Sequence, residues 1–230
     1  MEDRFFLKNL SIVIPLYNEA ERLSQGFKKI KPYLQKTNWE FIFVDDGSTD
    51  KTYQLACREQ VVVLRHLINR GQGAALETGN QYVLKQGAEV IVHFDADGQH
   101  QAGEIKEWIQ PIVEGNVDVV IGSRFLGKKS NLPLSKKIFF KLIIPWHNLF
   151  IGLKLTDLHN GTRVLSRRAA EKIKIRQDDM AHNSEISSQI SKYQFKYQEV
   201  PVKITYHEYG QGLRGVIKIF KDLIKKGIIG

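Results

Sequence analysis

The sequence predicts an α/β fold, a single domain whose mostly parallel central sheet carries helices on both faces. Three observations lead there. Short apolar, β-branched runs alternate with segments whose apolar residues recur at helical spacing, the order that parallel strands joined by crossover helices require. Four of the runs end in polar signatures: Pro15-Leu-Tyr-Asn-Glu19, Asp45-Asp-Gly-Ser48, Asp95-Ala-Asp97 and Ile121-Gly-Ser-Arg124. At 230 residues, 42% of them hydrophobic, the chain is long enough for one large domain with a proper core.

Taken in order, Leu10–Pro15 is a short apolar strand, and Leu16-Tyr-Asn-Glu19 follows as a turn with a helix cap at Asn18. Ala20, Leu23, Phe27, Ile30 and Leu34 then recur at helical spacing, which places a helix over about 19–35 with one face on the sheet. Phe41–Val44 is the second strand and ends in Asp45-Asp46-Gly47-Ser48. A helix to about Gln60, a strand Val61–Arg65, the turn Asn69–Gly73 and a helix to about Gln86 lead to a fourth strand that runs into Asp95. Gln101–Glu114 reads as another helix and Val117–Gly122 as another strand.

The second half changes character. Leu134–Leu155 carries Lys136, Lys137, Lys141 and Lys154 and no acid, around Phe139, Phe140, Trp146, Leu149 and Phe150. It is too short and too interrupted to span a bilayer. Two readings fit: a basic, aromatic stretch lying in a membrane interface, or a core helix pair broken at Pro145. Near the end, Leu213, Val216, Ile217, Phe220, Leu223, Ile224 and Ile228 follow one helical face with lysines largely off it. The expected organisation is therefore one domain over 1–212 and a basic amphipathic helix over 213–230.

Composition excludes several classes. No run of eighteen apolar residues occurs, and Met1-Glu2-Asp3-Arg4 lacks the pattern of a secretory leader, so the chain reads as neither exported nor membrane-spanning. One cysteine, Cys57, cannot form an internal disulfide, and no Cys/His group has zinc spacing, which fits a reducing cytoplasm. The net charge of +9 points to an anionic partner: nucleotide, nucleic acid or an acidic membrane surface.

The chemistry concentrates where Val92-His93-Phe94 ends in Asp95-Ala96-Asp97-Gly98-Gln99. Alternation in a strand points Asp95 and Asp97 the same way. Like charges side by side are costly unless a cation lies between them, and oxygen-only ligands favour Mg²⁺ or Mn²⁺. Taken alone, the motif is equally a solvated Asp-Gly turn. In a parallel sheet, however, the four strand ends lie along one edge, which gathers acids for a metal and an arginine for phosphate in one cleft.

The set closely resembles the family 2 inverting glycosyltransferases of GT-A fold, with a Rossmann-like sheet, and within them the polyprenyl-phosphate branch that includes dolichol-phosphate mannose synthase. The resemblance spans about Ile12 to Gly215. It implies that Pro15, Tyr17 and Glu19 line the nucleotide pocket, that Asp46 accepts a hydrogen bond from a base N–H, and that Asp95, Asp97 and Gln99 hold the divalent ion on the donor diphosphate. Arg124 would add a fork of donors to phosphate. Asp157-Leu-His-Asn-Gly161-Thr-Arg163 resembles the family's Asp-x-x-x-Gly-x-Arg segment beside the acceptor; His159-Asn160 departs from the Ser or Thr frequent there, which leaves the sugar or lipid preference open. His182 is an acceptor-side candidate. Glu185 falls where many relatives keep an acid, which serves as general base for a hydroxyl acceptor, whereas a lipid phosphate needs none. Tyr206–Arg214 resembles the loop that closes over donor phosphate, with His207 and Arg214 as its candidates.

The resemblance thus implies a metal-dependent enzyme, with Asp97, Arg124 and Glu185 in catalytic roles, that moves a sugar from a nucleotide sugar to a polyprenyl phosphate at the cytoplasmic membrane face. A saccharide hydroxyl is the other acceptor considered. Two further classes compete. Gly71-Gln-Gly73-Ala-Ala-Leu76 before a helix suggests a dinucleotide site, but Leu76 stands where the third glycine belongs, and a ribose-binding acid explains neither Asp97 nor the Asp45-Asp46 pair. A nucleic-acid module is disfavoured because clustered acids repel phosphate.

Overall fold

A computed structural model describes residues 9–59, 61–95, 102–127, 134–157, 160–178 and 181–202. Along the chain lie β1 (Leu10–Leu16), α1 (Ala20–Lys36), β2 (Glu40–Asp45), α2 (Thr52–Ala56), β3 (Val62–Arg65), α3 (Gln72–Lys85) and β4 (Val90–His93). A 3₁₀ turn at Ala102–Glu104 leads into α4 (Ile105–Val113). Next come β5 (Val119–Ser123), α5 (Leu134–Ile151), β6 (Arg163–Ser166), α6 (Arg167–Lys172), α7 (His182–Lys192) and β7 (Tyr197–Pro201). The seven strands form one sheet in the order β3-β2-β1-β4-β6-β5-β7. Every neighbouring pair is parallel except those of β6, which runs antiparallel between β4 and β5.

Both sheet faces are apolar, which is why the strands read as continuous hydrophobic runs and not as alternating ones. Successive residues of one strand feed opposite cores. Ile12 and Ile14 of β1 with Phe41 and Phe43 of β2 meet α1 (Leu23, Phe27, Ile30) and α4 (Ile105, Trp108, Ile109) on one face. On the other, Val13, Ile42 and Val44 meet α3 (Ala75, Leu76, Val83), α6 (Ala169, Ala170) and α7 (Ile186, Ile190). Gly79 lets α3 lie close to β1, since a Cβ there would run into the methyls of Val13.

Three local expectations are corrected. Asn18 does not cap α1: it sits at φ +51, and its side-chain oxygen accepts hydrogen bonds from the Thr49 backbone N–H and hydroxyl, tying the β1 turn to the β2 turn. The helix after Asp50 is a single turn over Thr52–Ala56 instead of reaching Gln60. The core helix pair broken at Pro145 is one helix, α5, running through that proline. Pro145 is exposed within that helix.

Candidate active site at the sheet edge

The parallel strands bring the ends of β1 to β5 to one edge, as their order requires. The reversed strand adds a residue that order alone does not show. Because β6 is antiparallel, it is its first residue, Arg163, that lies at this edge, paired with His93 of β4 on one side and Ile121 of β5 on the other. Arg163 is 3% exposed, and its Nε and Nη1 find no hydrogen-bond partner. Burial pushes its pKa down to about 10, against the opposing pull of the Asp95 and Asp157 carboxylates.

Those two acids stand on either side of it. Asp95 follows β4; the Gln72 side-chain amide donates to its Oδ1 at 2.9 Å, so the start of α3 is tied to the strand end. Burial raises the Asp95 pKa, while Arg163 and the Gln72 hydrogen bond hold it down. Gly161 packs against the Asp95 carboxylate where any Cβ would collide with it. Asp157 is 2% exposed and receives three donors from one residue: the Arg124 backbone N–H at 2.9 Å and Nε at 2.7 Å on Oδ2, and Nη2 at 2.6 Å on Oδ1. Glu199 of β7 accepts from Thr156 N–H at 2.9 Å and Asp157 N–H at 3.3 Å and so holds the turn that presents Asp157. Its own pKa is raised by burial, partly offset by those bonds. Arg124 is therefore not the free fork expected for phosphate. Its Nε edge is committed to Asp157, and Arg124–Asp157 is a fixed pair at the end of β5.

At the other end of the edge, Asp46 is buried and both its oxygens serve the chain: Oδ1 faces His66 Nδ1 at 2.7 Å and accepts Arg70 N–H at 3.0 Å, while Oδ2 accepts Gly71 N–H at 2.6 Å. These bonds clamp the 66–71 loop. Asp45 beside it is fully buried, with Arg65 Nε at 3.3 Å. Pro15 is half-buried in β1, Tyr17 is 45% exposed at its mouth, and the Glu19 backbone N–H donates to Thr52 Oγ1 at 2.8 Å. Pro15, Tyr17, Glu19, Asp46 and Asp95 thus share one edge.

Two acceptor-side expectations do not reach that edge as open groups. Glu185 Oε2 accepts the backbone N–H groups of Arg176 and Gln177, each at 2.9 Å, because at the first turn of α7 it is placed to fix the incoming loop. His182 is fully buried, its Cβ pressed toward Gly73 at the start of α3. Asp97, Gln99, His207, Arg214 and the 213–230 helix lie outside the described residues. Among the described residues, no group of three or more His, Cys, Asp or Glu is gathered for a metal; Asp95, a carboxylate whose charge burial disfavours, suits one oxygen ligand of a hard cation. Sequence reasoning missed Gln72 and Glu199, whose partners lie 23 and 43 residues away and leave no local signal.

The model of glycosyl transferase family 2 matches residues 11–174, a span that starts in β1 and ends beyond α6. The chain belongs to that family. This family 2 transferase is 37% identical over 222 residues to an uncharacterised protein of Methanocaldococcus jannaschii, covering 93% of this chain and 89% of that one. It is 31% identical over 246 residues to a UDP-N-acetylglucosamine--dolichyl-phosphate N-acetylglucosaminyltransferase of Methanococcus voltae, covering 94% and 95% of the two chains. Its fold matches a crystal structure of glucosyl-3-phosphoglycerate synthase from Mycobacterium tuberculosis in complex with Mn²⁺, UDP and glucosyl-3-phosphoglycerate, with a TM-score of 0.72 at 16% identity over 97% of this chain and 80% of that one. The GT-A architecture and the glycosyltransferase class of this enzyme are thereby established.

Proposed function

We propose that this glycosyltransferase moves a sugar from a nucleotide sugar to a polyprenyl phosphate, with inversion, at the cytoplasmic face of an anionic membrane. The observation that carries the reading is the row Asp95, Arg163, Asp157, Arg124 across the ends of β4, β6 and β5, in which both Asp157 oxygens are committed to Arg124 and Asp95 accepts from Gln72. Glu185, the acid that a hydroxyl acceptor would need, is bound to two backbone N–H groups. A lipid phosphate arrives already anionic and needs no base, so a single displacement at the anomeric carbon suffices. The dolichyl-phosphate acceptor in the name of the Methanococcus voltae relative supports the same class.

In this reading the donor base lies over the ends of β1 and β2, near Tyr17 and the loop that Asp46 holds. Asp95 with Asp97 and Gln99 would hold Mg²⁺ or Mn²⁺, which when bound offsets charge building on the departing nucleoside diphosphate. Mn²⁺ and UDP accompany the structural neighbour. Gln72 and Gly161 fix the Asp95 carboxylate. Arg163 supplies a buried positive charge between Asp95 and Asp157, and Asp157 locks the Arg124 guanidinium in one orientation.

The membrane partner is supported by α5. Trp146, Leu149 and Phe150, at i, i+3 and i+4, are 63%, 73% and 60% exposed, on a helix whose sequence has four lysines nearby and no acid. Among the described residues no helix is long and apolar enough to cross a membrane. The test incubates the enzyme with Mn²⁺ or Mg²⁺, a panel of nucleotide sugars and short polyprenyl phosphates. Nucleoside diphosphate should be released, and the sugar recovered on lipid, only when the lipid phosphate is present. Release that required a saccharide hydroxyl would refute the acceptor assignment.

A further inference from the structure

The loop between β3 and α3 holds two large apolar side chains out into solvent at the edge that carries the site. Leu67 is 100% exposed and Ile68 70% exposed. They are not the loose tip of a mobile loop. The His66 ring is held between Asp46 at 2.7 Å and Thr78 at 2.9 Å, its backbone N–H donates to Asp45 O at 2.8 Å, and Asp46 accepts the N–H groups of Arg70 and Gly71. Gly47, at φ +70, has the Ile68 and Asn69 backbone packed where its Cβ would be. A buried carboxylate and a glycine thus fix the loop on both sides of the apolar pair, and the pair cannot fold back to hide itself.

On either side stand half-exposed arginines, Arg65 at 45% and Arg70 at 54% of their side-chain surface. Each has an internal partner, Arg65 with Asp45 at 3.3 Å and the Tyr53 ring, Arg70 with Asp178 at 3.9 Å, yet both keep donors toward solvent. An apolar tip framed by cations suits the interface of an anionic bilayer, where acyl chains take the side chains and headgroups meet the guanidiniums. The position adds a second argument. β3 and β5 are five strand spacings apart, about 24 Å, so the loop and α5, which packs its Phe140 on Arg124, stand on opposite sides of the cleft.

We infer that Leu67-Ile68 is a second membrane contact, paired with α5, and that the two together turn the sheet edge toward the bilayer. One contact would leave the domain free to tilt about it; two contacts on opposite sides of the cleft fix it over the surface where a lipid phosphate resides. The inference rests on the lipid-phosphate reading above, which gives the edge a reason to face lipid.

The test uses the full chain with Cys57→Ser, Leu67→Cys carrying an environment-sensitive fluorophore, and, as a control on the opposite sheet edge, Asn116→Cys with the same label. Vesicles of phosphatidylcholine with phosphatidylglycerol should blue-shift the label at 67 and expose it to quenching by acyl-chain nitroxides, with a weaker response to phosphatidylcholine alone and none at 116. Leu67→Glu with Ile68→Glu should weaken vesicle binding about tenfold while the melting temperature and circular dichroism of the folded chain stay unchanged. A label at 67 that ignores vesicles, that responds to nucleoside diphosphate in their absence, or that is already shielded from iodide in solution would overturn the inference. These readouts involve no sugar transfer, so failure to glycosylate polyprenyl phosphate, with vesicle insertion intact, would sink the acceptor assignment alone.

Discussion

Arg124 and Asp157 offer the sharpest quantitative test of the site. Three hydrogen bonds of 2.6 to 2.9 Å join them, and their side chains are only 10% and 0% exposed. A pair this sheltered belongs with buried ion pairs, where removing one partner strands the other charge at a cost of about 3–5 kcal/mol. Asp157→Ala should therefore lose about that much, a large share of the ~5–15 kcal/mol available to a typical domain. Arg124→Met should cost less, because the carboxylate left behind still has Arg163 beside it. The double variant strands neither charge, so its loss should fall short of the summed single losses by about 2–3 kcal/mol. Urea unfolding followed by circular dichroism gives all four free energies. A coupling below about 0.5 kcal/mol, the level of an exposed pair, would refute the claim that Asp157 locks Arg124. With coupling confirmed, Arg124→Lys should recover only part of that coupling, since an ammonium cannot reproduce the paired guanidinium bonds to both Asp157 oxygens.

Four other outcomes follow from the same geometry. Asp97→Asn should abolish turnover and weaken Mn²⁺-dependent nucleotide binding in calorimetry while leaving the melting temperature within a few degrees; a variant that does not fold would assign Asp97 a structural role. Gly161→Ala should displace the Asp95 carboxylate that it packs against, and a tenfold or larger loss of metal-dependent nucleotide affinity should accompany it. Glu185→Gln, which keeps an oxygen for the Arg176 and Gln177 N–H groups, should hold kcat within a few-fold; a thousandfold drop would restore it as a base. Burial depresses the pKa of His93 to about 3 and of His147 to about 4. Both stay neutral in the fold where the unfolded chain, near 6.5, takes up protons. Stability is thus full above pH 6.5 and lost as pH falls toward 4, by about 1.4 kcal/mol per pH unit for each histidine. Asp95, with its raised pKa, works in the opposite sense at the acid end. His147→Gln should flatten that slope by one histidine's share, and an unchanged slope in urea titrations between pH 6.5 and 4.5 would contradict its buried, neutral state.

What the sequence made legible follows from how local each signal is. Apolar runs ending in Asp45-Asp46, Asp95 and Arg124 placed those residues on one edge because a parallel sheet leaves no other position for strand ends. Arg163 was legible as a motif member but not as a neighbour of Asp95: its place depends on β6 running antiparallel, and four residues of strand carry no mark of direction. The same holds for Asp46, whose acid was visible while its three donors, at 66, 70 and 71, were not. Hydrogen-bond commitments across 20 or more residues are a property of packing, and they separate an acid that can act on a ligand from one that holds the chain, as Asp46 does.

The charge balance along the edge bears on the cation. Asp45, Asp46, Asp95 and Asp157 bring four formal negative charges, against Arg65, Arg124 and Arg163, and His66 adds a charge only when protonated. Each arginine already faces a carboxylate, so the row has no surplus positive charge to offer a diphosphate. A donor carrying two or more negative charges would enter a region of net negative sign, where Coulomb repulsion at low local dielectric is costly. The chain's overall +9 does not remedy this, since charge beyond about 10 Å is screened at physiological salt. Either a divalent cation arrives with the donor or basic residues outside the described segments close over it. The two differ in their response to chelation: under the first, nucleoside diphosphate affinity in EDTA should fall by orders of magnitude, whereas under the second it should survive chelation and collapse in Arg214→Ala.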